Sequence, residues 1–148
     1  MVTRQQAPKR HRTFDSAKLL RWRIRQWTYG NVSVTFFGAV LDVREYLSAD
    51  GSSSYAKWFN DLNASAAARV TIAVTRMAQG NLSNAKSVGG GLQEYRIDFG
   101  PGYRIYFGRD GERLLILLGG GTKKRQRDDI RNAQALWDEY RRRKKEEK

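Results

Sequence analysis

The chain has 148 residues, enough for one domain with a modest core. Its 28 Lys and Arg against 15 Asp and Glu leave a formal charge of +13, which points to polyanions: nucleic acid, an anionic membrane surface or an acidic protein. Cysteine is absent and His11 is the one histidine, so disulfides and thiolate metal sites are excluded and zinc or histidine chemistry has no basis; neither metal nor cofactor is expected.

Residues 1–35 read as a basic, flexible N-terminal extension and residues 36–148 as the domain. In the first 31 residues, eight cations (Arg4, Lys9, Arg10, Arg12, Lys18, Arg21, Arg23, Arg25) face one acid, Asp15. Such a stretch is a solvated arm, or Leu19, Leu20, Trp22, Ile24 and Trp27 make it a short amphipathic helix for RNA or lipid. A third reading starts translation downstream, near Val32 or Val40. No apolar run approaches the roughly 20 residues of a bilayer span. An apolar secretory segment is also lacking, so a cytoplasmic protein without a membrane partner is expected.

Val40, Leu41, Val43 and Tyr46 predict a first strand. Gly51 to Ser54 end it and offer an N-cap, after which Tyr55, Trp58, Phe59 and Leu62 fall at helical spacing. Ser65 is a candidate cap for a second helix with the stripe Ala67, Val70, Val74 and Met77, stopped by Gly80-Asn81.

Tyr95, Ile97 and Phe99 alternate with polar residues, as do Tyr103, Ile105 and Phe107, which predicts a hairpin of half-buried strands around Gly100-Pro101-Gly102. A three-residue loop pairs Phe99 with Tyr103, Ile97 with Ile105 and Tyr95 with Phe107. It also sets Asp98 opposite Arg104 and Arg96 opposite Tyr106. Asp110-Gly111 predicts a second tight hairpin, pairing Phe107 with Leu114 and Ile105 with Ile116. The strand from Leu114 to Leu118 is apolar on both faces and is expected to be central, ending at Gly119 to Gly121. A last helix begins near Arg125, with Ile130, Ala133, Leu136, Trp137 and Tyr140 on one stripe.

The expectation is an α+β domain: one strand, a helical pair, an antiparallel three-stranded meander and a C-terminal helix. Helices cover the face of Tyr95, Ile97, Phe99, Tyr103, Ile105 and Phe107. The other face presents Arg96, Arg104 and Tyr106, with Leu115 and Leu117 beside them.

Arg96 and Arg104 then share one face, with Lys123, Lys124, Arg125 and Gln126 arriving after the last strand. Arginine grips phosphate through paired hydrogen bonds, and an aromatic ring such as Tyr106 can stack a base. RNA supplies its own nucleophile, the 2′-hydroxyl, so holding it in line and stabilising the phosphate's charge suffices for cleavage without a metal. The plainer alternatives are an Asp98–Arg104 ion pair, packing of Tyr106 on Leu115, and a solvated lysine turn.

Glu94-Tyr95-Arg96-Ile97, Gly100-Pro101-Gly102-Tyr103-Arg104-Ile105-Tyr106-Phe107 and Gly120-Gly121-Thr122-Lys123, with Gln126 and Asp129-Ile130, closely resemble the phage-derived HigB-like addiction module killer proteins of the RelE/ParE toxin superfamily. The resemblance covers about residues 40–140 in order and spacing. It implies a RelE-like small antiparallel sheet with an N-terminal helical pair and a C-terminal helix. It implies the toxin of a type II toxin–antitoxin system, a metal-independent, ribosome-dependent mRNA endonuclease that blocks translation and is neutralised by a HigA-like helix-turn-helix antitoxin. By position, Arg96, Arg104 and Lys123 correspond to phosphate and transition-state contacts. Tyr106 joins them as a catalytic candidate, and Lys124, Arg125 and Gln126 as RNA-binding ones. Thr122 departs from the aspartate common at that position. The ParE branch inhibits DNA gyrase instead, so that target and a plain basic nucleic-acid-binding module are the alternatives.

Overall fold

A computed structural model describes residues 27–29, 32–34 and 40–148. The predicted basic arm and its amphipathic-helix alternative lie largely outside the described residues. Trp27, counted in that alternative, belongs instead to strand β1 (Trp27–Tyr29), which pairs antiparallel with β2 (Val32–Val34).

From residue 40 onward the elements are β3 (Asp42–Glu45), α1 (Ser54–Asn60), α2 (Ala64–Ala78), β4 (Ala85–Gly89), β5 (Leu92–Ile97), β6 (Tyr103–Asp110) and β7 (Leu114–Thr122). A 3-10 turn (Lys123–Arg125) and α3 (Gln126–Glu146) follow. Five strands form one sheet in the order β3-β7-β6-β5-β4. Its architecture is α+β with a mixed sheet, because β3 runs parallel to β7 while all other neighbours are antiparallel. The expected all-antiparallel sheet is corrected at that edge. The other edge strand, β4, was not anticipated: Ala85-Lys86-Ser87-Val88-Gly89 has little β-branched character and is specified by its pairing with β5.

Local chemistry sets the helix limits. The Ser53 hydroxyl accepts from the Ala56 N–H and caps α1. For α2 the cap is Asn63, not Ser65: its side-chain oxygen accepts from the Ala66 N–H at 2.9 Å, starting the helix earlier than Ser65 would. The helix closes with Gly80 N–H on the Met77 carbonyl and Asn81 N–H on the Arg76 carbonyl, a Schellman motif whose left-handed residue is Gly80 at φ +84°.

The β5–β6 hairpin pairs Ile97 with Tyr103, Arg96 with Arg104, Tyr95 with Ile105 and Glu94 with Tyr106. This is two residues away from the expected register. Phe99 leaves the ladder to join the turn, where Gly100 and Gly102 take positive φ and the Gly102 N–H donates to the Phe99 carbonyl. A shift of two preserves faces, so Tyr95, Ile105 and Phe107 still point together and Arg96 and Arg104 still share the opposite face. Asp98 does not face Arg104, which removes the expected ion pair.

The β6–β7 hairpin departs further. Phe107 pairs with Leu117, not Leu114, and the register shifts once more between Tyr106 and Phe107. Leu115 and Leu117 therefore turn to the face of α1 and α2, and Ile116 and Leu118 to the face of Arg96 and Arg104. The expected position of Leu115 and Leu117 beside the arginines, and of Tyr106 on Leu115, is thereby corrected. Nor does β7 end at its glycines. Gly119, Gly120 and Gly121 pair with Tyr106, Ile105 and Arg104, and at Gly120 and Gly121 neighbours occupy the space a Cβ would need. A Cβ on Gly120 would land in the Trp58 ring, and one on Gly121 in the Asp129 carboxylate.

Both faces of the sheet are covered. On one, Val70, Val74 and Met77 of α2 and Tyr55 of α1 pack on Tyr95, Ile105, Phe107, Leu115 and Leu117. On the other, Ala133 and Trp137 of α3 pack on Leu92, Tyr106, Ile116 and Leu118, with Trp137 lying over Gly108. The expected open face of arginines is therefore roofed by α3 over much of its area, and its polar end lies near the start of that helix.

Candidate functional site: a cationic cluster around a buried carboxylate

The alternation of β5 and β6 places Glu94, Arg96, Arg104 and Tyr106 on the α3 face. Arg96 and Arg104 are direct cross-strand partners, an arrangement that like charges alone disfavour. Glu94 compensates. It is 0% exposed, and its Oε1 accepts from Arg96 Nε at 2.9 Å and lies 3.2 Å from Arg104 Nε. The second contact is an ion pair without the angle of a hydrogen bond, since Arg104 Nε has no hydrogen-bond acceptor among the described residues. On the other oxygen, Oε2 accepts from Gln126 Nε2 at 2.7 Å and from the Tyr106 hydroxyl at 3.4 Å. Two neighbouring strands and the first residue of α3 thus meet on one carboxylate.

Arg104 is 7% exposed, and its Nη1 donates to the Gly102 carbonyl at 3.2 Å. Arg96 opens to solvent, its side chain 50% exposed. The same Gly102 carbonyl accepts from the Lys123 backbone N–H at 2.9 Å, so Lys123 starts beside Arg104 across the sheet. Lys123, Lys124 and Arg125 are exposed on the 3-10 turn that leads into α3.

Two expected roles change with the geometry. Tyr106 is 0% exposed and packs with Leu92, Ile116 and Trp137, so its ring is not available to stack a base. Burial first, then the negative charges of Glu94 and Asp129, push its phenol up, which keeps it protonated as a donor to Glu94. Gln126 turns inward to Glu94 instead of outward to a ligand. Arg96, Lys123, Lys124 and Arg125 remain the cations that can reach a polyanion directly, and Arg104 stands just behind them.

Glu94 is the functional residue that sequence reasoning misses. The available signal was its position two residues before Arg96, on the same strand face. What could not be read was its burial, which depends on α3. Burial opposes its ionisation, but the hydrogen bonds from Arg96 and Gln126 and the charge of Arg104 outweigh it and hold the carboxyl below the usual carboxylate range. Asp129 behaves oppositely. Its Oδ2 is buried without a donor among the described residues, and burial raises its carboxyl against the pull of Arg125, with Asp128 adding to the rise.

Fold and site together define a small mixed-sheet α+β protein with a surplus of cations gathered over a buried carboxylate at one end of the sheet. The chain is 39% identical over 87 residues to an uncharacterized protein of Haemophilus influenzae, an alignment spanning 58% of this chain and 88% of that protein. The chain belongs to the same family as that protein. No family model matches it. Among the described residues no helix is long and apolar enough to cross a membrane.

Proposed function

We propose that this chain is the toxin of a type II toxin–antitoxin pair, a HigB-like member of the RelE/ParE superfamily that cleaves mRNA on the ribosome and is neutralised by a HigA-like helix-turn-helix antitoxin in the cytoplasm. The supporting observation is the convergence of Arg96, Arg104 and Lys123 at one end of the sheet. The order of strand, helical pair, meander and C-terminal helix is consistent with a RelE-like arrangement.

The chemistry needs a clamp more than a nucleophile. The RNA 2′-hydroxyl gives up its proton as its oxygen attacks the adjacent phosphorus, the bond to the 5′-oxygen breaks and that oxygen takes up a proton, so that a 2′,3′-cyclic phosphate and a 5′-hydroxyl result. Arg96 and Lys123 would bind the phosphate oxygens and stabilise the charge that grows on them. Arg104 adds positive potential from behind at low local dielectric. Lys124 and Arg125 would follow the neighbouring phosphates, giving affinity that falls with salt.

Inducible expression with mapping of RNA 5′ ends tests this reading. Cleavage within codons should appear within minutes, disappear with Arg96→Ala or Lys123→Ala, and be suppressed when the antitoxin is co-expressed. Growth arrest with intact transcripts and trapped DNA gyrase would replace mRNA with gyrase as the target. Harmless induction would leave a basic nucleic-acid-binding module.

A further inference from the structure

Glu94 accepts three hydrogen bonds, from Arg96 Nε at Oε1 and from Tyr106 and Gln126 at Oε2, and faces Arg104 Nε at 3.2 Å as an ion pair. It is 0% exposed behind these partners, so its oxygens are out of a substrate's reach and Glu94 is not a general base. Its effect has to pass through the groups it holds.

What it holds is oriented. Both guanidiniums meet Glu94 through Nε, the inner nitrogen of the fork. The Arg96 side chain makes no other hydrogen bond among the described residues, and that of Arg104 uses only Nη1, on the Gly102 carbonyl. The terminal nitrogens of Arg96 and Nη2 of Arg104 are left without acceptors there. Neutralising Glu94 needs one arginine, and two are present. The triad therefore carries one surplus positive charge, half-exposed at Arg96, and the exposed Lys123 starts on the Arg104 side of it, where both residues share the Gly102 carbonyl. An ion pair serving stability alone would be complete with Arg104.

We infer that Glu94 is the positioning residue of a phosphodiester clasp, fixing Arg96 and Arg104 by their Nε atoms so that the free end of the Arg96 guanidinium and the Lys123 ammonium meet one phosphate of a single-stranded RNA, with Arg104 adding its charge from just behind. This deepens the proposed function and rests on it for the identity of the ligand. Tyr106 and Gln126 are the supports that stop the Glu94 carboxylate from rotating, which explains why two residues of that motif face inward.

The sign of one substitution separates positioning from bulk electrostatics. Glu94→Gln raises the net charge by one, and long-range attraction alone makes it bind RNA more tightly. Positioning makes it bind more weakly, by about tenfold, the scale of one lost charge-assisted interaction. Anisotropy of a labelled short single-stranded RNA on the full chain reads the difference, with Glu112→Gln, an exposed acid in the β6–β7 turn, as the charge-matched control. Glu94→Asp keeps the charge and a partner for Arg104 but falls one methylene short, and it too is expected to bind more weakly than wild type. Wild-type or tighter affinity in either folded Glu94 variant overturns the inference.

NMR of the arginine Nε–H groups gives a reading that does not depend on RNA. Two protected signals are expected in the wild type and their loss in Glu94→Gln or Glu94→Asp; their absence from the wild type also overturns the inference. Should wild type neither bind nor cut RNA while inorganic phosphate shifts the Arg96 signal only when Glu94 is present, the RNA reading falls and the clasp stands.

Discussion

The two faces of the sheet are built from the same strands and differ in what their inward positions carry. Beneath α1 and α2, strand positions such as Val43, Tyr95, Ile105, Phe107, Leu115 and Leu117 form a single hydrophobic cluster. Beneath α3 the face is apolar only where Leu92, Ile116, Leu118 and Trp137 meet, and it becomes ionic toward Glu94, Arg96 and Arg104. Apolar burial is favourable wherever it occurs and tolerates small errors of geometry. A buried carboxylate is favourable only with its partners in place. The first face therefore supplies stability, and the second spends part of it on holding charge at a chosen position.

The comparison can be broken most forcefully at Glu94. Glu94→Ala leaves Arg104 buried without its counter-charge and is expected to lower unfolding free energy by about 3–5 kcal/mol in urea titrations. Arg96→Ala, which removes an exposed partner, should cost far less. Equal losses for the two would mean that the carboxylate is not the centre of the cluster.

Next comes the α1/α2 face. Ile105→Ala should cost about 2–5 kcal/mol and Gly120→Ala about 1–3 kcal/mol, the latter by driving a methyl group against Trp58. Thermal or chemical melts measure both. Neither effect should depend on pH between mild acid and neutrality, since no ionisable partner is involved.

Acid sharpens the contrast. The carboxyl of Glu94 is held below its ordinary value of 4.5, so its contribution is fully present above that value and is lost as pH falls through the folded-state pKa. The stability gap between wild type and Glu94→Gln should shrink on acidification below about pH 4.5, while the gap for Ile105→Ala stays. Asp129 has the reverse sign. Its carboxyl is raised, so the ionised form weakens the fold as pH rises through the folded-state value, and Asp129→Asn should be neutral or mildly stabilising at pH 7.

The smallest expected effect on folding is at Lys123. Lys123→Ala should change stability by no more than about 0.5 kcal/mol, yet reduce the salt dependence of RNA binding by about 0.7 in the log–log slope. A destabilised Lys123→Ala protein would place that side chain in the fold instead of at the ligand.

Much of this layout could be read along the chain. The period of two in Tyr95-Ile97 and Tyr103-Ile105-Phe107 assigned faces correctly even though the β5–β6 register was off by two, because an even slip keeps every side chain on its side. The same reasoning failed in β7, where the offset from the expected pairing was odd before the bulge and Leu115 and Leu117 changed faces. Leu114 to Leu118 is apolar at every position, so no alternation was available to warn of it. Gly119 to Gly121 looked like a strand end because glycine is a weak strand former. Trp58 and Asp129, distant in sequence, are what require glycines in a continuing strand.

The amino-acid order on its own determined the kinds of elements other than the edge strand β4, the cations grouped around Arg96, Arg104 and Lys123, and the excess of positive charge, since these depend on local spacing and composition. Only the tertiary structure decided that α3 roofs the arginine face, that Tyr106 and Gln126 turn inward, and that Glu94 is the hub. Those outcomes depend on strand register and on where a helix comes to rest, and both are set by contacts between residues far apart along the chain.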